Sequence, residues 1–166
     1  MIAYTEKGSG LHAKITKLGY NLREENGTWV SSDDVAVQAI IDSYTLAEAQ
    51  ALKANEVLEK AKALRDKAVR AISAGEMASW PIKLSEAAKF AASGLPADAP
   101  MLSAEASARG ITLAALVAKV GGNASTFSTL EAAIGGVDGK HRDAIKALTT
   151  FDEVSAYDYS AGWPGV

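Results

Sequence analysis

The two histidines come first among residues that could do chemistry, because histidine serves both as a metal ligand and as an acid–base group. They are His12 and His141, and the chain has no cysteine. Neither histidine lies at the spacing of a metal site or of a nucleophile and its base, and the lack of cysteine excludes disulfides and thiolate zinc sites. We expect His141, which lies among charged residues in KHRD, to be exposed at the start of a helix.

Three short stretches resemble binding loops but lack the residues that would complete them. Gly8-Ser9-Gly10 has no strand pattern before it and no Lys-Ser/Thr after it at P-loop spacing. GGVDGK fits a calcium loop at one aspartate and one glycine only. Asp33 and Asp34 could ligate a cation, but acidic residues also complement the dipole at a helix start. The sequence therefore predicts no catalytic residue, no metal ligand and no cofactor, and we do not expect an enzyme.

The C-terminal segment SAYDYSAGWPGV carries the side chains best suited to binding. Tyr157, Tyr159 and Trp163 offer large contact areas with few rotors and a polar handle. Their spacing places Tyr157 and Tyr159 on one side of an extended segment, not on one face of a helix. We expect the three to dock. Either they plug the chain's own helical domain, or they anchor in a groove on a partner.

Composition narrows the classes of partner. Hydrophobic residues make up 48% and charged residues 22%, which is typical of a folded soluble protein. The net charge of −3 does not indicate binding to nucleic acid or to an anionic membrane. No apolar run reaches the length of about 18 residues that indicates a membrane span. The N-terminus has no apolar region, so we expect no signal peptide. The absence of cysteine fits synthesis in the cytosol.

Residues 1–44 predict a small α+β module. The stretch LHAKITKLG has the apolar spacing of a short helix, which ends at Gly19. The pair Asn26-Gly27 predicts a tight hairpin turn, because both residues tolerate a positive φ. The stretch SSDDVAVQAIIDSY follows as a second helix, capped by Ser31 or Ser32.

A capping box at Thr45–Glu48 opens a long connecting helix that we expect to reach Ser73. One side of this helix carries a narrow apolar stripe, and the other carries charged residues. The stripe is either the packed face of an amphipathic helix or a coiled-coil seam with a second copy of the chain. Its residues are Val57, Leu58, Ala61, Leu64, Ala68 and Ile72.

Glycine and proline divide the remainder into a predicted bundle of short helices. We expect Pro81 in the first turn of a helix that stops at Gly94, a break at Gly121-Gly122 and a loop at GVDGK. A second capping box, Thr150–Glu153, opens a last short helix.

The predicted fold class is α+β and predominantly α. The predicted parts are a small hairpin-plus-helix module at 1–44, a long connecting helix at 45–73, and a helical domain with an aromatic tail at 74–166.

Several stretches resemble small proteins encoded beside the tail-fibre gene in tailed bacteriophages and prophages. They are MIAYTEKGSGLH, REENGTWVSSDDVAVQAIIDSYTL and RAISAGEMASWPIKLSEAAKF. In the second half, ITLAALVAKV, LEAAIGGVDGKHRDAIKAL and AYDYSAGWP are similar to a helical domain of unknown function that recurs in those tail proteins. The family is labelled tail-fibre assembly or simply tail protein, and it carries over no functional residue.

The resemblance implies a protein partner, either a trimeric tail fibre or a baseplate protein. On this basis the chain is a non-catalytic tail protein that binds the fibre and assists its assembly or attachment. It would act in the host cytoplasm during assembly, as a chaperone. The alternative is a permanent structural component of the virion tail or baseplate beside the fibre. A third interpretation, a virion-associated hydrolase, lacks a plausible pair of carboxylates.

Overall fold

The computed structural model describes Ile2 and residues 7–165. Across these residues the chain forms seven α-helices, a short 3₁₀ helix and one two-stranded antiparallel sheet, so the predicted α+β, predominantly helical fold class is confirmed. The elements are α1 (Ser9–Lys17), β1 (Leu22–Glu25), β2 (Thr28–Ser31), α2 (Asp34–Ser43), α3 (Leu46–Val69), α4 (Ala74–Ser93), the 3₁₀ helix (Pro96–Asp98), α5 (Pro100–Ala108), α6 (Leu113–Ala147) and α7 (Phe151–Ala156).

The chain divides into two compact units. Unit 1 combines the described residues up to Ala63 with Gly135–Trp163, and unit 2 comprises Leu64–Ile134 with Pro164 and Gly165. The boundaries fall inside the two longest helices, α3 and α6. The separability of the predicted segments 1–44, 45–73 and 74–166 stays a prediction, which limited proteolysis near residues 44–50 tests.

Local signals at the N-terminus produce the expected hairpin. Asn26 and Gly27 adopt φ angles of 53° and 76°, as the tight turn requires, and β1 pairs with β2 in the register Leu22↔Ser31. The predicted cap of α2 is wrong. Asp33, not Ser31 or Ser32, caps α2, because its carboxylate accepts a hydrogen bond from the backbone N–H of Ala36.

The core of unit 1 joins the two ends of the chain. Buried apolar side chains from α1, β1 and α2 pack with Val154 of α7, while Phe151 lies partly buried against them. The buried members of this core are Ile2, Leu11, Ile15, Leu22, Val37, Ile41, Tyr44, Ala49 and Val154. The N-terminal module therefore gains part of its core from residues more than a hundred positions away.

Helix α6 departs most from the sequence prediction. It runs for 35 residues through Gly121-Gly122 and through GVDGK, where we expected a break and a loop. No glycine described within it has a positive φ. An interior glycine costs about 0.5–1 kcal/mol relative to alanine, whereas burying a large aliphatic side chain contributes roughly 1.5–3 kcal/mol. Leu116, Ile134 and Ile145 are such side chains on α6, so packing outweighs the glycines.

Helices α3 and α4 follow the predicted caps more closely than the predicted bounds. The Thr45–Glu48 capping box is present, but α3 ends at Val69, before Ser73. Ser73 instead caps α4, so Pro81 lies in the interior of that helix and not in its first turn as predicted. Gly94 ends α4 with a φ of 70°, which confirms the predicted stop.

Unit 2 has its own small core, built mainly from alanine and leucine. Its buried members are Ala87, Ala99, Leu102, Ala106 and Leu116. A buried carboxylate, Glu86, accepts hydrogen bonds from the first backbone N–H groups of α5, at Met101 and Leu102. These bonds satisfy donors that a helix start leaves without partners.

Among the described residues, no single helix is both long enough and apolar enough to cross a bilayer. Helices α5 and α6 meet the length and composition criteria only when they are taken together, and the pair is bent by 109°.

Candidate functional site

His141 lies at the centre of a polar and aromatic cluster in unit 1. Its side chain is only 8% exposed, so the expected exposed histidine at a helix start is wrong. Its Nδ1 lies 2.9 Å from Tyr157 Oη, and its Nε2 lies 3.1 Å from the backbone oxygen of Ala161. Because a carbonyl oxygen only accepts, Nε2 must carry a hydrogen, and in the neutral ring Nδ1 accepts the Tyr157 hydroxyl proton.

Trp163 covers the imidazole of His141. The two rings are stacked, with centroids 5.8 Å apart and an interplanar angle of 23°. Tyr157 approaches the same imidazole edge-on, also at 5.8 Å. The indole Nε1 of Trp163 donates a hydrogen bond of 2.7 Å to the backbone oxygen of Tyr159, so the tail closes on itself.

Two lysines of α3 complete the arrangement. Lys60 Nζ lies 5.5 Å from the Trp163 ring centroid and 5.7 Å from that of Tyr159, while Lys53 Nζ lies 5.6 Å from the Tyr159 centroid. Lys60 also donates a hydrogen bond to the backbone oxygen of Ser160. We call Lys53, Lys60, His141 and residues 157–163 the tail cluster. It joins α3 and α6 through cation–π and hydrogen-bond contacts.

Two titratable groups in the tail have shifted pKa values. Burial raises the pKa of Tyr159, and the nearby Glu56 carboxylate adds to the effect. The pKa of Asp158 is lowered, first by a hydrogen bond from the Ser160 backbone N–H and then by one from the Ser160 hydroxyl. At neutral pH Tyr159 therefore keeps its proton and Asp158 is charged. The folded tail favours both states, because the buried Tyr159 ring disfavours a phenolate and the Ser160 donors favour the Asp158 carboxylate.

The structure brings the three predicted tail residues together on the chain itself. Tyr157, Tyr159 and Trp163 are each half-buried within unit 1. This placement folds the tail back on α3 and α6 and leaves part of each side chain exposed, and none of the three residues belongs to an apolar core. Whether they plug the helical domain stays a prediction. Their contact with a partner stays a prediction.

The apolar stripe of α3 does not form one solvent-facing seam. Val57 and Ala61 are fully buried, whereas Leu58 is 44% exposed. Leu64, together with Ala68 and Ile72, falls in unit 2 and is partly exposed. Self-association through these six residues stays a prediction.

Unit 2 contains an open groove of about 620 Å³ between α4, the end of α5 and α6. Trp80 and Phe127 meet edge-on across it, with ring centroids 5.4 Å apart. Its α6 wall extends from Leu116 to Leu130, which corresponds to about 21 Å at the rise of an α-helix. The large apolar side chains that line the groove are Ile72, Trp80, Leu84, Leu116, Val120, Phe127 and Leu130.

Charged side chains frame the groove. Lys83 Nζ and Arg109 each lie 2.8 Å from the Glu105 carboxylate, and the hydrogen bond from Lys83 is the main reason that the pKa of Glu105 is lowered. The lining holds three basic residues, with Lys119 the third, and two acidic ones, Glu105 and Glu76. The sequence did not predict this groove, because its walls come from segments whose pairing no local pattern specifies.

At each of the two surfaces, titratable side chains are already paired within the chain. Among the described residues, no group of three or more His, Cys, Asp or Glu side chains is placed to hold a metal ion. The ring nitrogens of His141 are engaged by Tyr157 and Ala161, and Glu105 at the groove is engaged by two cations.

The fold and these two surfaces define a helix-rich α+β protein with one self-occupied aromatic cluster and one open apolar groove. No protein-family model matches the chain. No curated protein and no solved structure shows a significant match either. The resemblance to phage tail proteins therefore rests on the sequence stretches quoted above.

Proposed function

We propose that this chain is a non-catalytic bacteriophage tail protein that binds the tail fibre and assists its assembly or attachment. The sequence resemblance suggests the partner. The observation that carries the binding role is the open groove of unit 2, where the aromatic rings of Trp80 and Phe127 face a solvent-accessible space. Aromatic side chains in such pockets often dominate the energy of protein–protein binding.

The dimensions of the groove suit an apolar helical segment of the fibre. A wall of about 21 Å matches roughly 14 residues of helix. Leu84 and Phe127 at the groove are 41% and 37% exposed, so they are available to pack against such a segment. Three basic side chains against two acidic ones favour an acidic residue on the docking segment.

Binding of the purified protein to the tail fibre of the same phage or prophage tests this proposal. Phe127→Glu places a charge on the apolar wall of the groove, and we expect it to weaken fibre binding at least about tenfold. Leu95→Glu is the matched control, since Leu95 is 58% exposed in the same unit and does not line the groove. Equal affinities for the two variants would exclude the groove as the docking surface. A wild-type protein that does not bind the fibre would exclude the proposed partner.

The second candidate is a permanent component of the virion tail or baseplate beside the fibre. The same groove could serve a lasting contact as well as a transient one. Mass spectrometry of purified virions separates the two, because a structural component is present at fixed stoichiometry and an assembly chaperone acting in the host cytoplasm is absent. The hydrolase interpretation has least support, since the ion pairs of Glu105 with Lys83 and Arg109 oppose a role as general acid.

A further inference from the structure

Side chains, more than backbone pairing, hold the C-terminal tail in place. Residues 157–163 belong to no helix or strand. Their hydrogen bonds to α3 and α6 include those of His141, which contacts both Tyr157 and Ala161, and that of Lys60, which contacts Ser160. The backbone N–H of Tyr157 also donates to Val154 in α7, next to the point where the segment begins. A few side chains of α3 and α6 therefore attach the segment, and among them His141 contacts three of its residues, Tyr157, Ala161 and Trp163.

We propose that residues 157–163 form a clasp that opens as a unit, with His141 as its positioning residue, while the apolar core of unit 1 stays folded. That core includes Val154, which is 3% exposed, but no residue of the clasp. Helix α7 ends at Ala156, and Tyr157 has extended backbone angles of φ −62° and ψ 117°. Movement at this point releases the tail without removing Val154 from the core. Segments with few apolar contacts open at lower free energy than a core does.

His141 couples the parts of the clasp. Removing the imidazole leaves the Tyr157 hydroxyl and the Ala161 carbonyl without this partner, and it removes the ring on which Trp163 stacks. These contacts are lost together, so the segment leaves α6 along its whole length. The bond from the Trp163 indole to Tyr159 lies in a stretch without helix or strand, so it loses its support and opens to water when the segment is released. Lys60 contributes less, because its contacts lie at a more exposed edge where water can replace them.

The clasp controls how much of the tail a partner can reach. When it is closed, the aromatic rings of Tyr157, Tyr159 and Trp163 contact α3 and α6. A partner that binds these rings must compete with that contact, and its apparent affinity is its intrinsic affinity multiplied by the fraction of molecules that are open. The clasp is therefore an autoinhibitory contact for any binding through the tail, independent of the groove in unit 2.

Hydrogen exchange measured by NMR tests the clasp, because the Trp163 indole N–H donates to Tyr159 inside it. The chain has 3 tryptophans, so their indole signals can be assigned by substitution. In His141→Ala we expect the Trp163 indole to exchange at least about tenfold faster, while the core amides of Ile15 and Ile41 change less than about twofold. His12→Ala, which alters the exposed histidine of α1, is the control and should change neither rate.

Two outcomes would overturn the proposal. If the core amides accelerate by the same factor as the Trp163 indole, the tail belongs to the core and is not a separate unit. If the indole rate is unchanged, His141 does not hold the clasp. Tyr157→Phe removes only one hydroxyl, so it gives a milder test should His141→Ala not fold. It should accelerate the Trp163 indole by about threefold to tenfold, as expected for the loss of one hydrogen bond.

Discussion

The tail cluster and the groove of unit 2 are both aromatic surfaces, yet only the tail cluster is filled by the chain itself. In the tail cluster, His141 and two lysines engage the tail from two helices. In the groove, Trp80 and Phe127 contact each other and leave about 620 Å³ open. Aromatic residues alone therefore do not identify a partner site. Whether the chain satisfies them itself is decided by the fold.

This difference separates what each surface contributes. Contacts within a filled cluster add to the stability of the isolated chain. Exposed apolar groups in an open groove add little until something covers them, and they remain available for binding. Substitutions in the two regions should therefore divide into those that change stability and those that change affinity.

The largest effect is expected on the packed face of α3 in unit 1. Val57→Asp places a carboxylate at a fully buried position, which costs several kcal/mol or shifts its pKa, so we expect a loss of about 3–5 kcal/mol in unfolding free energy. Leu58→Asp, the adjacent and half-exposed position, should lose less than about 1 kcal/mol. Urea denaturation of both variants checks this. Similar losses would mean that the packed face of α3 is assigned wrongly.

Removal of the tail should have the next largest effect. A chain that ends at Ser155 loses the two hydrogen bonds to His141, the lysine contacts and the half-buried aromatic rings. We expect its unfolding free energy to fall by about 2–4 kcal/mol. A chain that ends at Trp163 keeps the tail cluster and serves as the control. A chain ending at Ser155 that keeps its stability but loses the fibre would favour the partner-anchor interpretation of the tail.

Local sequence signals predicted much of this fold. The capping boxes at Thr45 and Thr150, the turn at Asn26-Gly27 and the stop at Gly94 all form as expected. These features depend on a few neighbouring residues, so sequence shows them directly. The continuity of α6 depends on side chains packed along 35 residues. The low helix propensity of Gly121-Gly122 instead favours a break, so the prediction from the local pattern is wrong there.

The sites were less accessible to prediction than the helices. The tail aromatics suggested docking, but the contacts of His141 lie 16 and 20 positions further along the chain. The histidine was misassigned because a loop was expected at GVDGK. A continuous helix instead places His141 in its interior, facing the returning tail. The groove forms only where α4, α5 and α6 pack together, and residue spacing within one segment does not predict that packing.

Substitutions at the glycines of α6 test whether this helix, which forms one wall of the groove, is continuous. At Gly121 and Gly122 an added Cβ meets nothing within 4 Å, and neither residue has a positive φ. Gly121→Ala and Gly122→Ala should each raise the unfolding free energy by about 0.5–1 kcal/mol. Gly27→Ala is the opposite control, since a φ of 76° should make it destabilising. Thermal unfolding measures all three, and a loss of stability at positions 121 and 122 would indicate a break in the helix.

The smallest effect is expected at the rim of the groove, where Glu105 pairs with Lys83 and Arg109. The pKa of Glu105 is lowered on folding, chiefly by the Lys83 hydrogen bond, so the folded state favours the charged carboxylate. Its contribution to stability is present above the unfolded pKa of about 4.5, and it is lost as pH falls through the lower folded value. Glu105→Gln should therefore melt at a lower temperature than wild type at pH 7. At pH 3 the difference between the two melting temperatures should be smaller. Glu59→Gln removes a more exposed carboxylate, 4.0 Å from Lys62, and should change little at either pH. If the difference in melting temperature between Glu105→Gln and wild type does not change with pH, the rim ion pairs do not stabilise the groove.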